Sequence, residues 1–150
     1  YTRTNPITYL HDVPSTRFES NRFNLGHYLK DNAEEMYATV RFYPLATLEL
    51  GASWVYARKG NYYEYIRGMR NPRIDELPVL EDIIWDKNSL SFEAVVRPFT
   101  NMRIFGRYTI SEINGYDADG RTAQEHLDMF SPSYMHGRVN LLEVGFGMGF

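Results

Sequence analysis

The sequence lacks cysteine, which excludes a disulfide framework and any metal site built from thiolates. It also lacks an apolar run of 18 or more residues, which excludes a membrane-spanning helix. There is no excess of basic residues: 16 Lys and Arg stand against 19 Asp and Glu, and the net charge of −3 argues against nucleic acid as a partner. A membrane-spanning β-barrel is not excluded, because its strands alternate and never build a long apolar run.

Apolar and polar residues alternate strictly in five segments, which predicts five β-strands with one apolar face each. In the last segment, Leu142, Val144 and Phe146 alternate with Glu143 and with glycines. The segments cover residues 35–42, 48–56, 90–97, 102–111 and 142–150. Each is close to the roughly 9–11 residues that a tilted strand needs to cross a bilayer.

The connections between these segments alternate between short and long. Tight turns containing Pro44 and Pro98 join the first strand to the second and the third to the fourth. About thirty residues separate the second and third segments, and about twenty-five separate the fourth and fifth. Short periplasmic turns and long extracellular loops are typical of outer-membrane barrels, and aromatic residues stand at both predicted interfaces. The predicted fold class is all-β: an antiparallel transmembrane β-barrel in the bacterial outer membrane.

Charged residues in the predicted strands share the parity opposite to the apolar residues. A solvated face of a soluble sheet explains this parity equally well, but Lys is the usual charged residue on such a face, and none is present in these segments. Arg is favoured where paired contacts with carboxylates form in a confined space. We therefore predict that this face lines the barrel lumen as a charge network. Its members are Glu35, Arg41, Glu49, Glu93, Arg97, Arg103, Arg107 and Glu143.

Five strands do not close a barrel, since closed transmembrane barrels have at least about eight. The chain begins at Tyr1 rather than at Met, and no signal stretch follows it. We therefore expect residues 1–150 to be the C-terminal part of a single outer-membrane β-barrel domain. The alternative is that several copies share one barrel.

Three local patterns resemble a known family. Residues 1–11, YTRTNPITYLH, are similar to the Tyr-Thr-Arg…Tyr-x-His stretch of Wzi-type capsule-assembly outer-membrane proteins, particularly those of Bacteroidota-like bacteria. Residues 25–27, LGH, followed by residues 31–35, DNAEE, resemble the family's Leu-Gly-His…Gly-x-Asn-x-x-Glu segment, and residues 41–44, RFYP, resemble its strand ending in an aromatic-Pro turn. The resemblance covers about the first 60 residues and the terminal strand.

The resemblance implies a non-catalytic outer-membrane barrel associated with the attachment or assembly of surface or capsular polysaccharide, without a cofactor. Its expected partners are outer-membrane lipid, the barrel-assembly machinery, and either surface polysaccharide or an envelope protein complex. Two alternatives stay open. One is a barrel subunit of a larger envelope complex for secretion, motility or assembly, with loops that bind a protein partner. The other is a soluble glycan-binding β-domain.

Motifs for catalysis or metal binding are scarce. The sequence contains no Gly-x-Ser-x-Gly elbow, no phosphate-binding glycine loop and no His-Glu-x-x-His. The four histidines fall in predicted outer loops without metal-ligand spacing. Residues 116–120, YDADG, are similar to the start of a calcium loop, but ordinary Asp/Gly turn chemistry explains them better. We predict no catalytic residue and no metal site.

Aromatic residues in the first long loop are the candidates for glycan binding, because sugar rings stack on aromatic side chains and donate hydrogen bonds to carboxylates. The candidates are Tyr62, Tyr63, Tyr65 and Trp85, and Glu81, Asp82 and Asp86 lie near the last of them. The alternative is that these side chains pack the loop onto its neighbours and cap the mouth of the barrel.

The C-terminal strand predicts an assembly signal. Phe146, Met148 and Phe150 alternate up to the last residue, and a terminal Phe resembles the C-terminal recognition signal of bacterial outer-membrane barrels. We expect the substitution Phe150→Ser to reduce assembly into the outer membrane while soluble expression stays intact, which surface labelling of whole cells would measure. Unchanged surface display would contradict the signal.

Overall fold

The computed structural model describes residues 1–9, 19–20, 23–24, 27–63 and 77–149. These residues form eight β-strands, one α-helix and a single 3-10 turn. The strands are β1 (Thr2–Thr4), β2 (Glu19–Ser20), β3 (Phe23–Asn24), β4 (Ala33–Leu45), β5 (Leu48–Gly60), β6 (Ile83–Phe99), β7 (Met102–Gly115) and β8 (Gly137–Met148). The helix, α1, spans Ala123–Phe130, and the 3-10 turn spans Ser133–Met135.

Six of the strands form one antiparallel sheet in the order β1-β4-β5-β6-β7-β8, and β2 pairs with β3 separately. The long strands therefore follow one another across the sheet in chain order. The predicted antiparallel β-architecture is confirmed. The sheet is open rather than closed, because β1 and β8 lie at opposite edges and do not pair with each other among the described residues.

Two-residue hairpins join the long strands at one end of the sheet. Leu45 pairs with Leu48 around the first turn, and Phe99 pairs with Met102 around the second. At the other end, residues 61–82 connect β5 to β6, and residues 116–136 connect β7 to β8. The predicted alternation of short and long connections is confirmed, and it places both long connections at the same end of the sheet.

All five predicted strands are present, but β6 and β7 are longer than the alternation indicates. Strand β6 begins at Ile83 rather than at Leu90, and β7 continues to Gly115. The reason is that apolar and polar residues exchange faces within β6. The face that carries the apolar Leu90 carries the polar Asp86 nearer the long connections, and there the apolar Trp85 lies on the opposite face. A search for one continuous apolar stripe misses a strand whose apolar residues change face.

A small core lies at the end of the sheet near the long connections. Its buried members are Leu29, Ala33, Ala57, Ile84, Trp85 and Ile113. Helix α1 packs against β6 and β7 there, with the ring centroids of Phe130 and Trp85 5.9 Å apart. The helix begins with a capping box, in which the Thr122 side chain and the Glu125 side chain each accept a hydrogen bond from the other residue's backbone. The long connection is therefore a folded cap over one end of the sheet.

We expect Trp85→Ala to lower the free energy of unfolding by about 3–5 kcal/mol, because the indole is 2% exposed and its removal leaves a cavity. Trp54→Ala is the matched control, since that ring is 37% exposed on the opposite face. Urea titration followed by circular dichroism measures both variants. Equal losses would contradict the assignment of Trp85 to the core.

Candidate functional surface: an apolar face opposite a charged face

The register of the sheet joins the apolar residues of its strands into one continuous face. A single row across five strands contains Val40, Ala52, Phe92, Tyr108 and Leu142, each paired with the next. Val40 is 70% exposed and Leu142 is 69% exposed. Other exposed members of this apolar face are Phe42, Leu50, Trp54, Leu90, Val96, Ile104, Val144, Phe146 and Met148. Soluble monomers rarely expose a contiguous apolar surface of this extent.

The apolar face ends in a polar row near the long connections. Glu34, Arg58, Asp86 and Asn114 pair in sequence across β4 to β7. Nε of Arg58 donates to Oε1 of Glu34 over 2.7 Å, and Nδ2 of Asn114 donates to Oδ1 of Asp86 over 3.1 Å. The hydroxyl of Tyr116 also donates to Asp86, and this hydrogen bond, together with burial, raises the pKa of Tyr116 to about 12.

Two amphipathic rings of the apolar face have polar atoms that make hydrogen bonds toward the long connections. Nε1 of Trp54 donates to Oδ1 of Asn88 over 2.9 Å, and the hydroxyl of Tyr108 donates to Oδ1 of Asn140 over 3.2 Å. In both contacts the ring body belongs to the apolar face and the polar atom turns toward the long connections. Such rings are typical of the boundary between an apolar and an aqueous medium.

The opposite face carries two triads, each made of one carboxylate between two guanidinium groups. Glu49 accepts from Nη1 of Arg41 over 3.0 Å and from Nη2 of Arg97 over 2.9 Å, one on each carboxylate oxygen. In the second triad, Glu93 accepts from Nε of Arg107 over 3.0 Å and from Nη2 of Arg103 over 3.5 Å. The charged residues of the two triads are thus paired with one another.

Seven of the eight residues predicted as a charge network come together on this charged face. Glu143 completes the seven, with Oε2 lying 3.6 Å from Nη1 of Arg107. The structure separates Glu35 from them: its carboxylate accepts a hydrogen bond from Tyr28, and no guanidinium contacts it among the described residues. Burial and this hydrogen bond raise the pKa of Tyr28. Glu35 lies nearer the cap, where Tyr28 can reach it.

A concavity of about 350 Å³ lies on the charged face beside the triads. Its floor contains a row of small hydroxyl residues, paired strand to strand: Thr39, Ser53, Ser91 and Thr109. The hydroxyls of Ser91 and Thr109 are 2.8 Å apart. Lys87 lines the same concavity. The alternation does not predict Lys87, because it indicates a strand that begins at Leu90. Lys87 lies four residues before Ser91 and therefore on the same face of β6.

The loop aromatics that were candidates for glycan binding hold the cap together. The Tyr62 ring lies 4.8 Å from Nζ of Lys59 and 5.7 Å from the guanidinium of Arg121, and burial raises its pKa. The hydroxyl oxygen of Tyr63 lies 2.8 Å from the carbonyl oxygen of Pro78 and 3.0 Å from Oε2 of Glu81, so its one O–H has two acceptors in reach. These contacts agree with the alternative in which the tyrosines pack the loop onto its neighbours.

The placement of Trp85 in a loop is wrong: it lies on β6, and its ring is buried against Phe130 rather than offered for stacking on a ligand. Tyr65 and Phe150 lie outside the described residues. The remaining signal residues, Phe146 and Met148, are exposed on the apolar face at the end of β8.

The acidic turn after β7 uses its carboxylates for local hydrogen bonds. Asp117 accepts from the backbone N–H of Ala123 over 2.6 Å, and Asp119 accepts from that of Tyr62 over 2.6 Å. Asp119 and Gly120 both have positive φ values, of 53° and 70°, inside a two-residue turn. This is the turn chemistry that the sequence favours.

The described part of the chain contains no cluster of three or more His, Asp or Glu side chains that could hold a metal ion. His126 is fully buried, and its Nδ1 lies 2.7 Å from the carbonyl oxygen of Tyr116, which ties α1 to the end of β7. Among these residues, no helix is long and apolar enough to cross a bilayer.

Comparison with protein-family models, with curated proteins and with solved structures found no match. Function is therefore inferred from the two faces of the sheet. They differ in kind: one exposes apolar side chains, and the other presents paired charges and a concavity lined by hydroxyls.

We expect Glu93→Gln to lower the free energy of unfolding by about 1 kcal/mol, because it weakens hydrogen bonds to two guanidinium groups on a partly exposed face. Glu143→Gln is the matched control, since its carboxylate is 45% exposed and contacts one guanidinium at 3.6 Å. Urea titration of both variants is the measurement. A larger loss for Glu143→Gln would contradict the bridging role of Glu93.

Proposed function

We propose that this sheet forms part of the wall of an outer-membrane β-barrel, with the apolar face against lipid and the charged face toward the interior. The observation that carries the proposal is the continuous, exposed apolar face. On β7 it extends over nine residues, from Met102 to Ile110. That number lies within the roughly 9–11 residues that a tilted strand needs to cross a bilayer.

The position of helix α1 supports the same orientation. In a soluble sheet with one helix, the helix is expected to cover the apolar face, because that burial drives folding. Here α1 packs at the end of the sheet through Trp85 on the charged-face side, and no described element covers the apolar face. A lipid environment supplies the missing apolar contact.

The sheet has open edges at β1 and β8, and backbone groups there need partners in lipid. Strand β1 covers only three residues of β4, and β8 has a partner on one side only among the described residues. An unpaired backbone group costs several kcal/mol in lipid. Further strands must therefore pair with these edges, supplied either by a longer polypeptide or by other copies, until at least about eight strands close.

The role we propose for the barrel is non-catalytic and associated with surface polysaccharide. Its support is the Wzi-type resemblance of residues 1–11 and 41–44, together with a folded cap at the end of the sheet that the long connections define. On this proposal the cap is extracellular and the two hairpins are periplasmic.

Val40→Arg tests the lipid contact directly. Arg on a lipid-facing strand costs about 2–4 kcal/mol near the bilayer midplane, because the guanidinium loses its hydration. We therefore expect Val40→Arg to lower the free energy of unfolding in phospholipid vesicles by that amount. At an exposed site in water the same substitution is expected to change stability by less than about 0.5 kcal/mol.

Thr39→Arg is the matched control, because Thr39 is the neighbouring exposed residue and faces the charged side. We expect this variant to unfold within about 1 kcal/mol of the unsubstituted chain. Equal losses for the two variants, or release of the protein from the cell envelope without detergent, would contradict a lipid-facing apolar face.

A further inference from the structure

The two triads of the charged face hold more positive than negative charge. Each contains two guanidinium groups and one carboxylate, and both oxygens of Glu49 and of Glu93 are engaged by arginine. The concavity itself is lined by three cations, Arg41, Lys87 and Arg107, and by three carboxylates, Glu49, Glu93 and Glu143. Arginine contacts all three carboxylates, so none of them is paired with Lys87 among the described residues.

The arrangement leaves cationic donors facing outward. The guanidinium side chains are 43–63% exposed, whereas Glu49 is 10% and Glu93 is 25% exposed. Each guanidinium has five N–H donors, and the triads use only one to three of them. The carboxylates are therefore more buried than the arginines that they bind, and Arg41 and Arg107 also line the concavity.

Lys87 adds a cation without a partner. It is half-buried in the lining of the concavity, and within the described ranges no acidic side chain pairs with its ammonium group. Burying a charge without a counter-charge is costly, so such a group is a candidate for pairing with a ligand. Between Lys87 and Arg107, the row of Ser and Thr hydroxyls supplies additional hydrogen-bond donors.

We propose that this concavity is an oxyanion-binding site, in which Lys87, Arg41 and Arg107 bind phosphate or carboxylate groups of a ligand. Ser91 and Thr109 bond each other over 2.8 Å, which leaves one of their two O–H groups to donate to the ligand at the floor. Planar guanidinium groups suit both oxyanions, because their paired N–H donors match two oxygens at once. A ligand with two anionic groups fits best, since cations stand on both sides of the hydroxyl row. The site stands on the charged face alone and does not depend on membrane insertion.

Calorimetric titration of the full chain in detergent tests the site with two separate probes, inorganic pyrophosphate and digalacturonate. We expect at least one of them to bind, and Lys87→Met to lower its association constant about tenfold, the effect of losing one charge-assisted hydrogen bond. Lys87→Arg should retain binding within about threefold, because the charge and the donors stay. Binding of pyrophosphate alone or of digalacturonate alone supports the site and identifies the group it takes.

Lys30→Met is the matched control, because it removes the same charge from an exposed turn away from the concavity. We expect it to change the association constant less than about twofold. Equal losses for Lys87→Met and Lys30→Met would show a diffuse attraction and overturn the site, as would the absence of binding by both probes. If Lys87→Met does not fold, Lys87→Gln replaces it in the same comparison. If the oxyanion site is overturned, the unfolding free energies of Val40→Arg and Thr39→Arg still test the lipid contact separately.

Discussion

The register of the antiparallel sheet is the constraint on which the rest of the structure depends. Side chains alternate between faces with a period of two, so a slip of one residue in any pairing would exchange the two faces of a strand. A register shift between Phe42 and Leu45, and another between Val96 and Phe99, separates the two hairpin pairs from the long pairings. Beyond these shifts, apolar and charged residues that alternate in sequence lie on opposite faces of the sheet, because the pairings across β4 to β8 preserve their parity.

The charged face owes its order to the same register. Glu93 lies directly opposite Arg107, and Arg107 lies opposite Glu143, so each carboxylate meets a guanidinium as a cross-strand neighbour. The bridges from Glu49 to Arg41 and Arg97 also cross neighbouring strands, but diagonally, because Arg41 lies opposite Gly51 and Glu49 lies opposite Val95. Arg suits this arrangement better than Lys because its several N–H donors are fixed in a plane, so Arg107 contacts both Glu93 and Glu143. The seven charged residues carry four positive and three negative charges.

The alternation of residues predicts most of the sheet, including its hairpins, its two faces and seven residues of the charge network. It does not predict where β6 begins, because the residues before Leu90 invert their polarity and Trp85 turns to the side that carries charge elsewhere. Helix α1 was also missed, although Thr122 followed by Glu125 is a capping-box signal. Neither the capping of the sheet by α1 nor the separation of Glu35 from the arginines is visible in sequence, since both depend on how the long connections fold back.

The order of the strands has a consequence for how the sheet assembles. Strands β4 to β8 pair in chain order, so each long strand after β4 pairs with the long strand that precedes it. The sheet can therefore grow by successive addition, each new strand using the free edge of the last as its template. The 12 residues of β8 leave such an edge, and growth there stops only when another strand occupies it.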